Sequence, residues 1–173
     1  MDMKRNMTLI SVIALFLLPL TVQAGSPTSE FVGRVVGVSD GDTIKVMHNG
    51  KEEKIRLLGI DCPEKAQPFG SKAKQFTSGL AFGKTVTVQV KDTDKYRRTI
   101  ANVLLPDGRV LNRELVAAGL AWWYRTYSQD ESLGLLEIEA RTAKRGLWVD
   151  QHPTPPWEWR RAKKNHDVRI FNP

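Results

Sequence analysis

Asn49-Gly50 stands between two apolar runs, "TIKVMH" (43–48) and "EKIRLLGI" (53–60). Both residues tolerate positive φ, as a two-residue hairpin turn requires, so the runs read as paired antiparallel strands. The same pattern recurs along the chain. "FVGRVVGV" (31–38) is valine-rich and gives way to the turn "SDGD". "TVTVQV" (85–90) alternates, with Val86, Val88 and Val90 facing one way and Thr85, Thr87 and Gln89 the other. "TIANVLL" (99–105) stops at the turn Pro106-Asp107-Gly108. Many short strands, with helices inserted late, predict a small closed barrel.

Three helices are expected. In "SKAKQFTSGLAFG", Ala73, Phe76, Thr77 and Leu80 share a face and Gly83 is a stop. In "NRELVAAGLAW", Asn112 reads as the N-cap and Leu115, Val116, Gly119 and Leu120 as the inner face. The third starts at the capping box formed by Ser128 and Glu131 and closes at Gly146, with Glu137 and Arg141 placed to pair. After Asp150 the prolines of "QHPTPPWEWRRAKKN" mark the end of the compact domain, Trp157 and Trp159 are expected to pack back on it, and the basic end, with Arg160, Arg161, Lys163 and Lys164, is expected either in solvent or as a nonspecific phosphate contact.

The first residues carry a different signal. Lys4 and Arg5 precede the apolar stretch "TLISVIALFLLPLTV", and Val22 and Ala24 sit where a signal peptidase reads. The expected organisation is a signal peptide at 1–24, a linker at 25–30, one domain at 31–150 and a C-terminal extension at 151–173. Secretion or a periplasmic location follows, with no membrane attachment once the signal is removed. The chain of 173 residues has a formal net charge of +7, of which +6 stays after that cleavage. An anionic partner suits a working domain of that charge. Cys62 is the single cysteine, so no internal disulfide forms. The histidines are dispersed, which leaves neither a zinc ligand set nor a histidine partner for a nucleophilic thiol.

Three polar clusters interrupt the apolar pattern: "DGDT" (40–43), "RLLGIDCPE" (56–64) and "DTDKYRR" (92–98). In this order and spacing, with "ELVAAGLAW" and "AKRGLW" downstream, they resemble the staphylococcal nuclease family over about Phe31 to Trp148. That resemblance implies an α+β, mainly β fold, a five-stranded OB-type barrel with three helices. It implies Ca2+ as cofactor and cleavage of DNA and RNA to leave 3′-phosphates, with no stable protein partner. It assigns Asp42, Asp61 and the carbonyl of Cys62 to the metal, Arg56 and Arg98 to the phosphate, Glu64 to the attacking water, and Lys95 and Tyr96 to a second phosphate of the nucleotide.

The chemistry of these residue types agrees. Calcium takes six to eight oxygen ligands, so two carboxylates and one carbonyl leave room for water and substrate. Guanidinium groups meet phosphoryl oxygens by bidentate hydrogen bonds, which lysine cannot do. A glutamate among cations is a poor base, so orienting water is the role that Glu64 suits. Alternation turns Arg56 away from Ile55 and Leu57, and Pro63 ends the strand so that Asp61 and Glu64 flank the turn. Two positions depart from the family pattern, which has threonine at Cys62 and glycine at Arg97. Arg97 argues against an obligatory positive φ there and is kept as an auxiliary phosphate contact. The alternative to an enzyme is an OB-fold module that binds single-stranded nucleic acid without cutting it.

Overall fold

The computed structural model describes residues 29–171, with side chains to residue 165. The expected signal peptide lies outside the described residues. Among the described residues, seven strands and four α-helices follow one another: β1 (Glu30–Asp40), β2 (Thr43–His48), β3 (Lys51–Leu57), β4 (Ile60–Asp61), α1 (Gly70–Ala81), β5 (Thr85–Thr93), β6 (Thr99–Leu104), α2 (Leu111–Ala117), β7 (Trp122–Trp123), α3 (Glu131–Thr142) and α4 (Pro156–Phe171). Five strands close a barrel in the order β1-β2-β3-β6-β5, and β4 and β7 form a separate two-stranded ladder. Only β3 and β6 run parallel within the barrel.

Alternation fills the barrel as expected. Ile44, Val46, Ile55, Leu57, Val86, Val88 and Val103 are almost fully buried. Each such side chain contributes about 1.5–3 kcal/mol when removed from water. Asn49 and Gly50 both take positive φ at the β2–β3 turn. The first helix packs its Ala73 and Thr77 face on the barrel, and Leu115 and Val116 of α2 join the same core.

The helix ends differ from expectation. Asn112 is not an N-cap: Val110 occupies that position, in extended conformation. The Asn112 side chain instead accepts from the Val103 N–H at 3.2 Å and donates to the carbonyls of Leu58 at 3.0 Å and Ala101 at 3.2 Å. It is buried because β6 and the loop after β3 leave backbone groups there that need partners. Asp130, not Ser128, caps α3, accepting from the Ser132 N–H at 3.0 Å. The helix stops at Thr142, before Gly146, because Lys144 has already turned to φ 49°. The Glu137–Arg141 pair forms as expected, at 3.5 Å.

The segment after Asp150 is the largest departure. It forms a fourth helix, α4, that returns to the barrel. Its Trp157 ring stacks on Tyr124 at 5.1 Å and meets Trp122 edge-on at 5.6 Å. Aromatic pairs of this geometry contribute about 0.5–1.5 kcal/mol beyond their buried area. The Gln67 side-chain amide donates to the Thr154 carbonyl at 2.6 Å and ties the approach to α4 onto the loop after β4. Among the described residues, no helix is long and apolar enough to cross a membrane.

Candidate functional site

The site is assembled from three connections at one end of the barrel. The turn from β1 to β2 carries Asp40 and Asp42, the end of β3 carries Arg56, and β4 with the loop after it carries Asp61, Cys62 and Glu64. Antiparallel pairing sets Thr43 opposite Arg56, which brings the first turn beside the arginine. The Leu57 N–H donates to the Asp42 carbonyl at 2.8 Å and locks the two segments together. Gly41 makes the close approach possible: a Cβ there would stand 2.7 Å from Ala73 Cβ and 2.8 Å from Cys62 Sγ. Thr77 of α1 donates its hydroxyl to the Gly41 carbonyl at 2.5 Å.

Arg56 joins the two aspartates. Its Nη1 lies 3.1 Å from Asp42 Oδ2 and its Nη2 lies 2.9 Å from Asp61 Oδ1. The same Nη1 reaches the carbonyls of Leu57 at 3.2 Å and Ile60 at 3.0 Å, which fixes the plane of the guanidinium. All three side chains are nearly inaccessible, with 14% of Arg56, 7% of Asp42 and 2% of Asp61 exposed. Burial pushes the Asp42 carboxyl up to about 7 against the pull of Arg56, with Asp40 and Asp61 adding to the rise. Burial works against the charge on Arg56, but Asp42 and Asp61 outweigh it and hold its pKa above the ordinary arginine value. An arginine between two acids thus keeps its charge, while Asp42 stays above the ordinary carboxylate range.

Cys62 presents its backbone to this cluster and its side chain to the core. Its N–H donates to Asp42 Oδ2 at 2.6 Å. The thiol is buried among core residues, and burial followed by the charge of Asp42 pushes its pKa well above the ordinary value. A neutral, enclosed thiol of this kind is not a nucleophile. That leaves the carbonyl as the Cys62 group that the sequence expectation assigns to the ion.

Glu64 is held through its backbone. Its N–H donates to Gln67 Oε1 at 3.1 Å, and the Gln67 N–H returns to its carbonyl at 2.8 Å. Gly70, at the start of α1, is required for this loop, since a Cβ there would stand 1.9 Å from the Glu64 carbonyl oxygen.

The β5–β6 hairpin carries the remaining residues. Parallel pairing sets Arg56 beside Ile100, and Arg98 precedes Ile100 by two residues. Arg98 itself stands in the turn just before β6. Asp94 organises this turn. Its Oδ1 accepts from the Tyr96 and Arg98 N–H groups, each at 2.9 Å, and its Oδ2 accepts from Arg98 Nε at 2.7 Å. The Arg98 terminal amino groups have no hydrogen-bond partner among the described residues. Tyr96 is 68% exposed, and Lys95 Nζ and Arg98 Cζ lie 5.2 and 5.6 Å from the centre of its ring. Lys95 is exposed beside it. Arg97 contradicts the sequence reading: it adopts φ 62°, the left-handed conformation expected of glycine. The turn needs that φ for the Asp94 N–H to reach the Arg98 carbonyl at 3.0 Å while the Arg97 N–H reaches the Asp94 carbonyl at 2.9 Å.

Arg160 of α4 reaches the same cluster, where sequence reasoning offered solvent or a nonspecific phosphate contact for the basic tail and no contact with the acids. Its Nη2 lies 2.8 Å from Asp61 Oδ2 and its Nη1 lies 2.8 Å from Glu64 Oε1. Both oxygens of Asp61 are therefore engaged, one by Arg56 and one by Arg160. Tyr124 stands alongside: burial and the charge of Asp61 push its phenol up, and Arg160 opposes this. Asp94 and Arg160 were the site residues that sequence analysis missed. Asp94 had a signal in the "DTDKYRR" cluster, but Arg160 had none beyond its charge.

No group of three or more His, Cys, Asp or Glu side chains that could hold a metal occurs among the described residues. Two carboxylates and a backbone carbonyl nevertheless form a donor set of hard oxygens. The Arg160 guanidinium shows that positive charge is accepted between Asp61 and Glu64. The residues fit a hard divalent ion.

A family model described as staphylococcal nuclease homologue matches residues 54–150. This span takes in Arg56, Asp61, Cys62, Glu64 and Arg98 and begins after Asp42. An uncharacterized endonuclease of Escherichia coli O157:H7 is 49% identical over 131 residues, 76% of this chain and 86% of that protein. A protein of Escherichia coli named ParB is 40% identical over 158 residues, 86% of this chain and 89% of that one. A micrococcal nuclease of Shigella flexneri is 41% identical over 147 residues, 79% of this chain and 84% of that one.

Proposed function

The chain belongs to the staphylococcal nuclease family, and from that premise we propose an exported, calcium-dependent endonuclease that hydrolyses DNA and RNA alike and leaves 3′-phosphates. That it is a nuclease follows from the family. Export rests on the pattern of residues 1–24. One observation carries the reading of the site: Arg56 lies between Asp42 and Asp61, with Glu64 on the loop that leaves Asp61.

Asp42, Asp61 and the Cys62 carbonyl would hold the ion. When bound, it supplies positive charge against the phosphoryl oxygens on which negative charge grows. The protein's own groups do the rest. Arg56 carries five N–H donors, and its contacts use Nη1 and one proton of Nη2. Its Nε–H and second Nη2 proton remain for a phosphate oxygen. Arg98 offers both terminal amino groups, because Asp94 takes only its Nε. Two guanidiniums fixed before substrate arrives stabilise the transition state without reorganising, the most effective form of electrostatic catalysis. Glu64 orients water toward phosphorus, and Lys95 and Tyr96 flank a neighbouring phosphate. Arg97, exposed on the same turn, is an auxiliary phosphate contact. Nothing in this set reads a sugar hydroxyl or a base edge, which supports activity on both DNA and RNA.

The test is cleavage of DNA and of RNA by the purified chain, in calcium and in chelator, with analysis of product ends. Cleavage of both substrates in calcium alone, leaving 3′-phosphates, is expected. Undiminished cleavage in chelator overturns the metal role, and 5′-phosphate products overturn the stated regiochemistry.

A further inference from the structure

Asp61, one of the groups that would hold the ion, already has a cationic partner supplied by the far end of the chain. Arg160 bridges Asp61 Oδ2 and Glu64 Oε1, each at 2.8 Å, and makes a third contact to Asp61 Oδ1 at 3.3 Å. It comes from a helix otherwise held by aromatic packing, Trp157 on Tyr124 and Trp122. The Glu64 carboxylate has no other hydrogen-bond partner among the described residues. Asp61 is almost fully buried, so its second oxygen cannot serve a cation while Arg160 keeps it.

We propose that Arg160 sets the cation affinity of this site: docked α4 competes with the divalent ion for Asp61, and the ion enters only as Arg160 leaves. This rests on the metal reading given above. Competition of this kind is reciprocal: docked α4 weakens cation binding by the same factor by which the bound cation weakens docking. Both Arg160 and the helix packing that delivers it therefore matter. Arg161, the next residue, is exposed and carries the same charge without contact to the acids.

Calorimetric titration of calcium alone into the full chain, in the absence of nucleic acid, tests this. R160Q removes the competing charge, W157A loosens the helix that presents it, and R161Q controls for net charge. R160Q and W157A are expected to bind calcium about tenfold more tightly than the unaltered chain, within the usual 5–150-fold range of coupling between linked events, and R161Q to bind equally. Tightening by R161Q as great as that by R160Q overturns direct competition in favour of a general field effect. Equal or weaker binding by R160Q overturns the inference; if that binding is still abolished by D61N, the metal reading survives. If neither the chain nor R160Q binds calcium, the metal reading itself fails and the inference goes with it.

Discussion

Asp94 grips Arg98 through Nε, at 2.7 Å, and through the backbone N–H, at 2.9 Å, so the arginine's fork is aimed by a carboxylate of its own turn. D94A is expected to lower kcat/KM about a hundredfold, the scale of loss that follows when a reacting group is misplaced by about 1 Å. Stability should change by less than about 1 kcal/mol, because the pair is partly exposed. Steady-state kinetics and urea unfolding on the same variant check both halves.

The same carboxylate has a pH signature. Burial raises its pKa, but hydrogen bonds from the Arg98 backbone and side chain and the Tyr96 backbone together outweigh this and leave it below 3.8. A depressed acid stabilises the fold fully above its unfolded pKa and loses that contribution as pH falls through the folded one. The stability gap between the unaltered chain and D94N should therefore be constant above about pH 5 and close on acidification below 3.8. A gap that persists unchanged at pH 2 counts against it.

Removing Arg56 leaves Asp42 buried without an ion-pair partner and Asp61 with Arg160 alone. R56A should lose about 3 kcal/mol of unfolding free energy in chelator, the usual cost of breaking a buried pair from one side. R56K should recover part of that stability but not the activity, since an ammonium cannot engage both aspartates and two carbonyls at once. Urea unfolding in chelator and cleavage assays in calcium separate the two effects.

Gly70 is the fourth test. Its missing Cβ leaves room for the Glu64 carbonyl, 1.9 Å from where that carbon would be. G70A must move either the start of α1 or the Glu64 loop. A loss of about 1–3 kcal/mol is expected, as for other overpacked sites, together with a fall in kcat. A fully active, equally stable G70A variant contradicts the described loop.

Arg97 stores backbone strain at φ 62°. R97G should be more stable than R97A by about 1 kcal/mol, because only glycine occupies the left-handed region without cost. Both variants lose the same charge, so they should share any rise in KM. Thermal unfolding and KM for each variant test the two parts separately.

How far these features could be read in advance varies from residue to residue. Val86, Val88 and Val90 announce a strand face by alternation, and Asn49-Gly50 announces its turn, because both effects act within a few residues. Asp42, Arg56 and Asp61 stand out for the related reason that charge in an otherwise apolar pattern is expensive unless it has work to do. Asn112 misled because a residue type suited to capping was recruited by unsatisfied backbone on β6 and the loop after β3. Arg97 misled because the hydrogen bonds of the turn outweighed the preference of its side chain.

The sequence by itself determined the strands, the turns and the chemical identity of the acids and arginines, since periodicity and turn preference are local and need no partner. Tertiary structure alone decided what those groups touch. Arg160 meets Asp61 across 99 residues of chain and Glu64 across 96, through the stacking of Trp157 on Tyr124. No local pattern records a contact of that kind, because it exists only once the barrel has closed and the last helix has found an aromatic surface on which to lie.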